Sequence, residues 1–543
     1  MAAALRRLSS GTLAARGAAA LVYALPLALA LPLALGEALD PAAWASLRAD
    51  PQLPGAVGLS VFSAVASTLL ALAVALWLAT RLHGTPAWQR LGAALGPMLA
   101  LPHAAFAIGL AWLLAPTGAV ARALAPLAGW ASPPGWETVN DPWALGLTLT
   151  LALKEMPFLL WNIFALLARP ELAARLAAER SVARTLGYGA SAWWWRCGWR
   201  QCLPLLAWPV LAVLAYGLTV VDLALIVGPA QPPTLAALAY ADLQDASPER
   251  NARGAAAALA LAALLAVLVL CAWLVWRAAV PAWTAWALRG RRPRAGTPRG
   301  GRPMLGVLMA VYGAVLVVLA VLSVAGPWPF PRLLPEIATG AAWQQVAGAA
   351  GTVGFTAALA VAATAVSLAV VVAWLEATPA RWDARAGWVV LAPLVVPSLL
   401  LMAGLYRGAL HLRLDGTVLA LVWGHALVVL PYVFIVLQPA WRDLDPRYEA
   451  TALALGRSRA AYRWRVKLPL LAAPLAAAAA VGFAVSVAQF LATQMLGAGR
   501  HPTVTTEAVT LASGGDRRTA AAFALLQALL PLAAFAAARA GRR

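Results

Sequence analysis

Long apolar runs constrain this chain before anything else does. Crossing the ~30 Å hydrocarbon core of a bilayer takes about 20 consecutive, mainly apolar residues. Twelve stretches reach that length: 17–36, 57–80, 92–114, 143–168, 204–228, 254–276, 304–325, 346–374, 387–406, 417–438, 469–496 and 519–538. Inside lipid each backbone polar group must be satisfied within its own segment, which runs of this length achieve as helices. The expected fold is an all-α polytopic membrane protein with about 12 transmembrane helices. Charged residues make up 11% of the chain, against about 25% in soluble domains, which excludes an ordinary soluble globule.

The basic excess has a topological origin. Forty-one Lys and Arg against 21 Asp and Glu give a net charge of +20, a balance that by itself suggests nucleic acid. With the N-terminus inside, however, cytoplasmic segments hold 30 of the 41, periplasmic segments hold 10, and Lys154 lies within a span. That is the positive-inside distribution, so both termini are expected in the cytoplasm and no nucleic-acid partner is implied. The first run follows Arg6, Arg7 and Arg16 and has some signal-peptide character. It reads as an uncleaved span, because an even number of spans returns the chain to its starting side. Residues 277–303 carry Arg277, Arg289, Arg291, Arg292, Arg294, Arg299 and Arg302 among Pro, Gly and Thr. They read as a flexible basic linker on the anionic inner leaflet. The expected organisation is 1–56 as an N-terminal span and periplasmic loop, 57–280 as a first transmembrane domain, 281–303 as the cytoplasmic linker, and 304–543 as a second domain.

Motif order repeats between the halves. Met156-Pro157-Phe158 corresponds to Leu430-Pro431-Tyr432, each within a span and each followed by a charged cytoplasmic loop. Tyr216 to Asp222 aligns with Phe483 to Gln489 at an offset of 267, and Gly228 and Pro233-Thr234 align with Gly497 and Pro502-Thr503 at 269. Polar landmarks kept in order through Ala/Leu-rich spans indicate an internal duplication into two homologous six-helix halves.

The most informative loop runs from Tyr448 to Leu471. After Glu449, Ala450 to Leu455 reads as a short helix of good formers, which Gly456 ends. A basic helical piece with Arg457, Arg459, Arg463, Arg465 and Lys467 follows, up to Leu468-Pro469 at the start of the next span. An Ala-rich turn, a glycine and Leu-Pro twelve residues later resemble the EAA loop of ABC importer permeases, with Ala450-Thr451-Ala452 at the EAA position. The first loop, from Glu179, has Ser181-Val182-Ala183 there, then Gly187 and Leu203-Pro204. Its glycine and Leu-Pro lie sixteen residues apart, which leaves open whether Gly189 shares the turn. Over 57–538 the chain resembles the fused two-domain permeases of binding-protein-dependent importers, of the thiamine, ferric iron or polyamine type. That resemblance implies a translocation path in a bacterial inner membrane, fed by a periplasmic substrate-binding protein. It also implies two copies of a cytoplasmic ATP-binding subunit, docked on coupling loops that include Glu179, Ala183, Gly187, Leu203, Pro204, Glu449, Ala450, Ala452, Gly456, Leu468 and Pro469.

No catalytic residue is expected in the chain itself. A P-loop requires Gly-Lys-Ser/Thr, and the two lysines, Lys154 and Lys467, follow Leu153 and Val466. ATP therefore belongs to a partner, and no cofactor is expected here. The histidines His83, His103, His411, His425 and His501 form no metal-ligand spacing and read as interface or loop residues. Cys197, Cys202 and Cys271 form no CxxC pair. Trp193-Trp194-Trp195 beside Arg196 reads as an interfacial anchor. Polar groups inside spans mark a path or a buried pair: Lys154, Glu155, Asp222, Gln489 and Gln494. Asp222 and Gln489 stand at matching positions of the repeat, and Lys154 is placed to pair with Asp222. Two other classes compete: a twelve-span transporter driven by an ion gradient, and a lipid-linked transferase, for which Asp443 and Asp445 are the nearest carboxylate cluster. Thiamine, ferric iron, polyamine and a small anion all stay open as solutes.

Overall fold

The computed structural model describes residues 16–17, 19–290, 300–394 and 396–540. Among these, regular structure is helical apart from one isolated bridge between Ala325 and Ala338. Ten helices are long and apolar enough to cross a membrane, and two bent helix pairs bring the count to twelve. The main helices are α1 (Leu21–Ala38), α2 (Leu53–Leu82), α3 (His103–Leu114), α4 (Leu145–Leu167), α5 (Ala207–Thr219) and α6 (Pro248–Leu288). The second half continues with α7 (Gly301–Ser323), α8 (Ala350–Ala377), α9 (Ser398–His411), α10 (Val418–Arg442), α11 (Ala472–Val487) and α12 (Arg517–Ala540).

Proline sets the main departures from continuous spans. The run expected at 92–114 breaks at Leu101-Pro102 into Pro86–Ala100 and α3, and Pro397 stands in the same place before α9. A proline ring clashes with the preceding turn and lacks the N–H that would continue the helix, so each break falls just before the new helix. The expected linker is shorter than its composition suggests. α6 continues unbroken to Leu288, so 277–288, expected to be flexible, is helical. At 1.5 Å per residue its 41 residues extend about 61 Å, roughly twice the hydrocarbon core. Arg291, Arg292, Arg294 and Arg299 lie outside the described residues, as do Arg6 and Arg7.

The N-terminal helix packs across onto the second half, and the first helix of the second half bridges the two halves. α1 packs along α9, while α7 packs against α3 and α12. Glycine permits both approaches: a Cβ at Gly404 on α9 would collide with the Ala30 carbonyl of α1, and one at Gly109 on α3 would stand 2.6 Å from Val315 Cγ1 of α7. Close backbone approach at small residues is how helices associate where lipid competes equally for apolar side chains. The N-terminal span is therefore part of the bundle and not an appendage. α2, α4 and α5 form the core of one half, and α8, α10 and α11 that of the other.

Candidate functional site

Both loops have the same backbone. In the first, the helix Pro170–Thr185 ends at Gly187 (φ 83°); Gly189 is extended (φ −70°, ψ 156°) and precedes the helix Ala190–Trp193. In the second, Arg447–Ala454 ends at Gly456 (φ 73°), and Ser458 takes the same extended values (φ −70°, ψ 156°) before Arg459–Tyr462. Each then passes through a π-helical turn, Trp194–Gly198 or Arg463–Lys467, on its way to α5 or α11. From the end of the first helix through the π-helical turn the positions recur 269 residues on, as Gly187 with Gly456 and Trp194 with Arg463 show.

The turns are Schellman motifs. Tyr188 N–H donates to Ala183 O at 2.9 Å and Gly187 N–H to Arg184 O at 3.0 Å; Arg457 N–H donates to Ala452 O and Gly456 N–H to Leu453 O, both at 3.0 Å. Positive φ costs an L-residue roughly 1–2 kcal/mol, which is why glycine stands at each turn. Gly187 makes the first turn alone, and Gly189 serves as the N-cap of the next helix. The sixteen-residue spacing arises downstream: in this register Trp199 matches Leu468, and Leu203-Pro204 fall one turn later, in the 3-10 segment Leu203–Leu206. Leu468-Pro469 begin the short helix Leu468–Leu470.

Different chemistry fastens the two loops. Trp194 and Trp199 are buried and stacked with ring centroids 4.7 Å apart, and His83 sits edge-on to Trp194 at 5.3 Å. Trp199 Nε1 donates to Thr80 Oγ1 of α2 at 2.8 Å. The tryptophan triplet is thus largely an internal anchor, since Trp193 and Trp194 are buried. Arg196 donates to the carbonyls of Trp286 and Ala287 at 3.0 and 2.9 Å. In the second loop Arg463 and Lys467 share Glu376 of α8 at 2.5 and 2.7 Å, and Lys467 lies over the Trp441 ring. Glu179 accepts from Gln201 Nε2 at 2.7 Å, and Glu449 pairs with Arg459 at 3.5 Å. Leu186 and Leu455, just before each glycine, are 51% and 74% exposed. Burial, and then the charge of Arg180, hold the His83 pKa below the usual histidine value.

Among the path candidates the structure re-sorts the partners. Lys154 does not meet Asp222; its Nζ donates to Met98 O at 3.0 Å. Glu155 pairs instead with His103 Nε2 at 3.0 Å, and the His103 ring lies 4.8 Å from that of Tyr216. Asp222 opens the short helix Asp222–Val227, within electrostatic reach of His103. In the 269-residue register Asp222 corresponds to Leu491 and Gln489 to Val220, so the expected matching of Asp222 with Gln489 does not hold. Gln489, just past the end of α11, donates its Nε2 to Val485 O of that helix at 3.3 Å, whereas Gln494 lies beside Tyr240. Of the histidines read as interface or loop residues, His425 is interior and His103, partly exposed, stands among polar groups of the bundle. His103 opens α3 behind Leu101-Pro102, and buried His425 bridges Ser486 Oγ and Thr493 Oγ1 at 2.8 and 2.9 Å. His103 directly follows the proline break, but only the fold brings it to Glu155. Among the described residues no three His, Cys, Asp or Glu converge to hold a metal.

A bundle of ten to twelve membrane-length helices carrying a matched pair of glycine-turned loops defines a polytopic, internally repeated membrane protein. Comparison with known proteins places it more closely. The chain is 38% identical over 525 residues, 95% of its length and 93% of the relative's, to the inner membrane ABC transporter permease protein YnjC of Escherichia coli K12. Over 116 residues, 19% of this chain and 44% of the relative, it is 32% identical to the molybdenum transport system permease protein ModB of Mycobacterium bovis and to that of Mycobacterium tuberculosis. No family model matches the chain. It belongs to the ABC transporter permeases and is an inner-membrane, all-helical permease subunit of an ABC importer. Both the ion-driven transporter and the lipid-linked transferase are thereby set aside.

Proposed function

We propose that the chain fuses two permease units, 57–280 and 304–543, and that its two glycine-turned loops are the docks for a separate cytoplasmic ATP-binding subunit, present in two copies. ATP is hydrolysed there and not in this chain, which carries no cofactor. A periplasmic binding protein selects and delivers the solute, and both termini lie in the cytoplasm. The observation that carries this reading is the recurrence of the Schellman-turned loop, with the same dihedral signature, 269 residues apart. A duplicated dock suits two copies of one partner. Leu186 and Leu455 supply the exposed apolar surface beside each turn. Closure of the partner dimer pulls on both loops and is passed to α5 and α11, which the loops join without an intervening flexible segment. Glu155 and Asp222 around His103, with Gln494 and Gln489 from the other half, line the path that then opens between the halves, and Lys154 braces its wall through Met98.

The test is the double variant Gly187→Asp with Gly456→Asp, co-expressed with the ATP-binding subunit. The expected outcome is an inserted, folded permease that fails to stimulate ATP hydrolysis in lipid vesicles and supports no uptake. Undiminished uptake in that variant would overturn the assignment of the loops.

A further inference from the structure

The first dock has a neighbour that gives it additional shape. A groove of about 580 Å³ opens between its coupling helix and the far end of α6. Val182, Ala183 and Leu186 of that helix line it, with Trp193 and Cys197 from the segment after the turn and Ala287 from α6. Its charged members are already engaged: Glu179 accepts from Gln201, and Arg196 donates to the Trp286 and Ala287 carbonyls. What the groove offers an incoming group is therefore apolar, with exposed Val182 and Leu186 at hand. The α6 wall is fixed by Arg196 and by Trp283 Nε1, which donates to Trp195 O at 2.8 Å. In the second loop the counterpart of Arg196 is Arg465, which is exposed and makes no hydrogen bond or ion pair among the described residues.

We infer that this groove receives an apolar side chain of the ATP-binding subunit and makes the first dock the tighter of the two. The inference rests on reading the loops as ATPase docks. The occupant follows from position: the coupling helix is itself one wall, so a subunit seated on that helix meets the groove directly. Burying a large apolar side chain there adds affinity that a turn and an exposed leucine alone do not supply.

Native cysteines report on it. Cys197 lines the groove and is exposed, Cys271 is exposed elsewhere on α6, and Cys202 is buried. The permease in lipid nanodiscs is treated with N-ethylmaleimide, alone and in complex with the ATP-binding subunit of the same importer, and each cysteine is followed by peptide mass spectrometry. Complex formation is expected to slow Cys197 labelling at least about tenfold and to leave Cys271 within about twofold. The Ala287→Trp variant, which fills the groove from the α6 side, is expected to weaken subunit binding about tenfold, the effect of losing one buried apolar side chain. Continued protection of Cys202 certifies that the variant is folded. Cys197 labelled equally in the complex overturns the inference and leaves the docking loops standing. Cys197 already shielded in nanodiscs without the subunit, yet reactive in detergent, makes lipid the occupant and also overturns it. Failure of the chain to capture any ATP-binding subunit removes the inference and the docking assignment together.

Discussion

The two loops share one backbone and differ in how they are fastened to the bundle. At the end of α2, Thr80 accepts the indole N–H of Trp199; at the end of α8, Glu376 takes both Arg463 and Lys467. These anchor points correspond, because Ser60 on α2 and Thr356 on α8 each accept a backbone N–H, from Leu235 and Val504, which lie 269 residues apart. The first loop is therefore a stacked aromatic plug and the second an ionic clasp. What both retain is the Schellman glycine and the π-helical turn. The comparison teaches that the geometry of the turn is the constrained quantity, while the means of holding it in place is free to change. The two means differ in environment: stacking is indifferent to salt, whereas an ion pair weakens as counterions screen it.

The largest effect on this contrast is expected from Trp199→Ala. Removing a fully buried tryptophan costs about 3–5 kcal/mol, and hydrogen exchange should rise through 190–202 while 459–470 stays protected. Leu468→Ala, at the matching but partly exposed position, should cost far less; equal losses would break the comparison. Next comes Glu376→Gln, which leaves two cations facing a neutral group and should loosen 459–470 by about 1–3 kcal/mol. Exchange in the first loop is expected to stay unchanged, and a rise there would show that the loops are not independently held. Trp199→Phe keeps an aromatic ring in the stack but removes the donor to Thr80 and part of the buried ring volume, for an expected loss of about 1–3 kcal/mol.

The smallest effects come from solution conditions, and they act on opposite loops. Raising salt from about 0.05 to about 0.5 M should loosen the Glu376 clasp and leave the tryptophan plug intact. Acidification should do the reverse. His83 packs neutral against Trp194, with its pKa held below 6.5, so the unfolded chain binds a proton more readily than the folded one. Its contribution is present above pH 6.5 and is lost as pH falls through the lower folded value. Comparing hydrogen exchange at pH 7.5 and 5.5 should show the first loop loosening alone, and His83→Gln should abolish the difference.

Much of the architecture was legible in the residues. The apolar runs and both glycine turns follow from local rules: span length is set by bilayer thickness, and a left-handed turn selects glycine. Errors arose where position along the chain stood in for position in space. An offset of 267 for the stretch around Asp222 followed from matching side chains, whereas the short helices Asp222–Val227 and Leu491–Leu496 stand 269 apart. Basic, proline-containing composition at 277–288 suggested a flexible linker, yet Arg196 and Trp195 hold that stretch as helix from a loop some ninety residues earlier.

By itself, then, the sequence determined that this chain is a helical membrane permease with two equivalent glycine turns, because apolar length and glycine placement act within one or two helical turns. Only the tertiary structure decided that α1 packs on α9 and α7 lies between α3 and α12, that Glu155 takes His103 and leaves Lys154 to Met98, and that one loop is stacked while the other is clasped. Those choices depend on which side chains come within about 3 Å of each other after the helices pack. Many polar residues along the chain satisfy the local rules equally well, and helix packing selects among them.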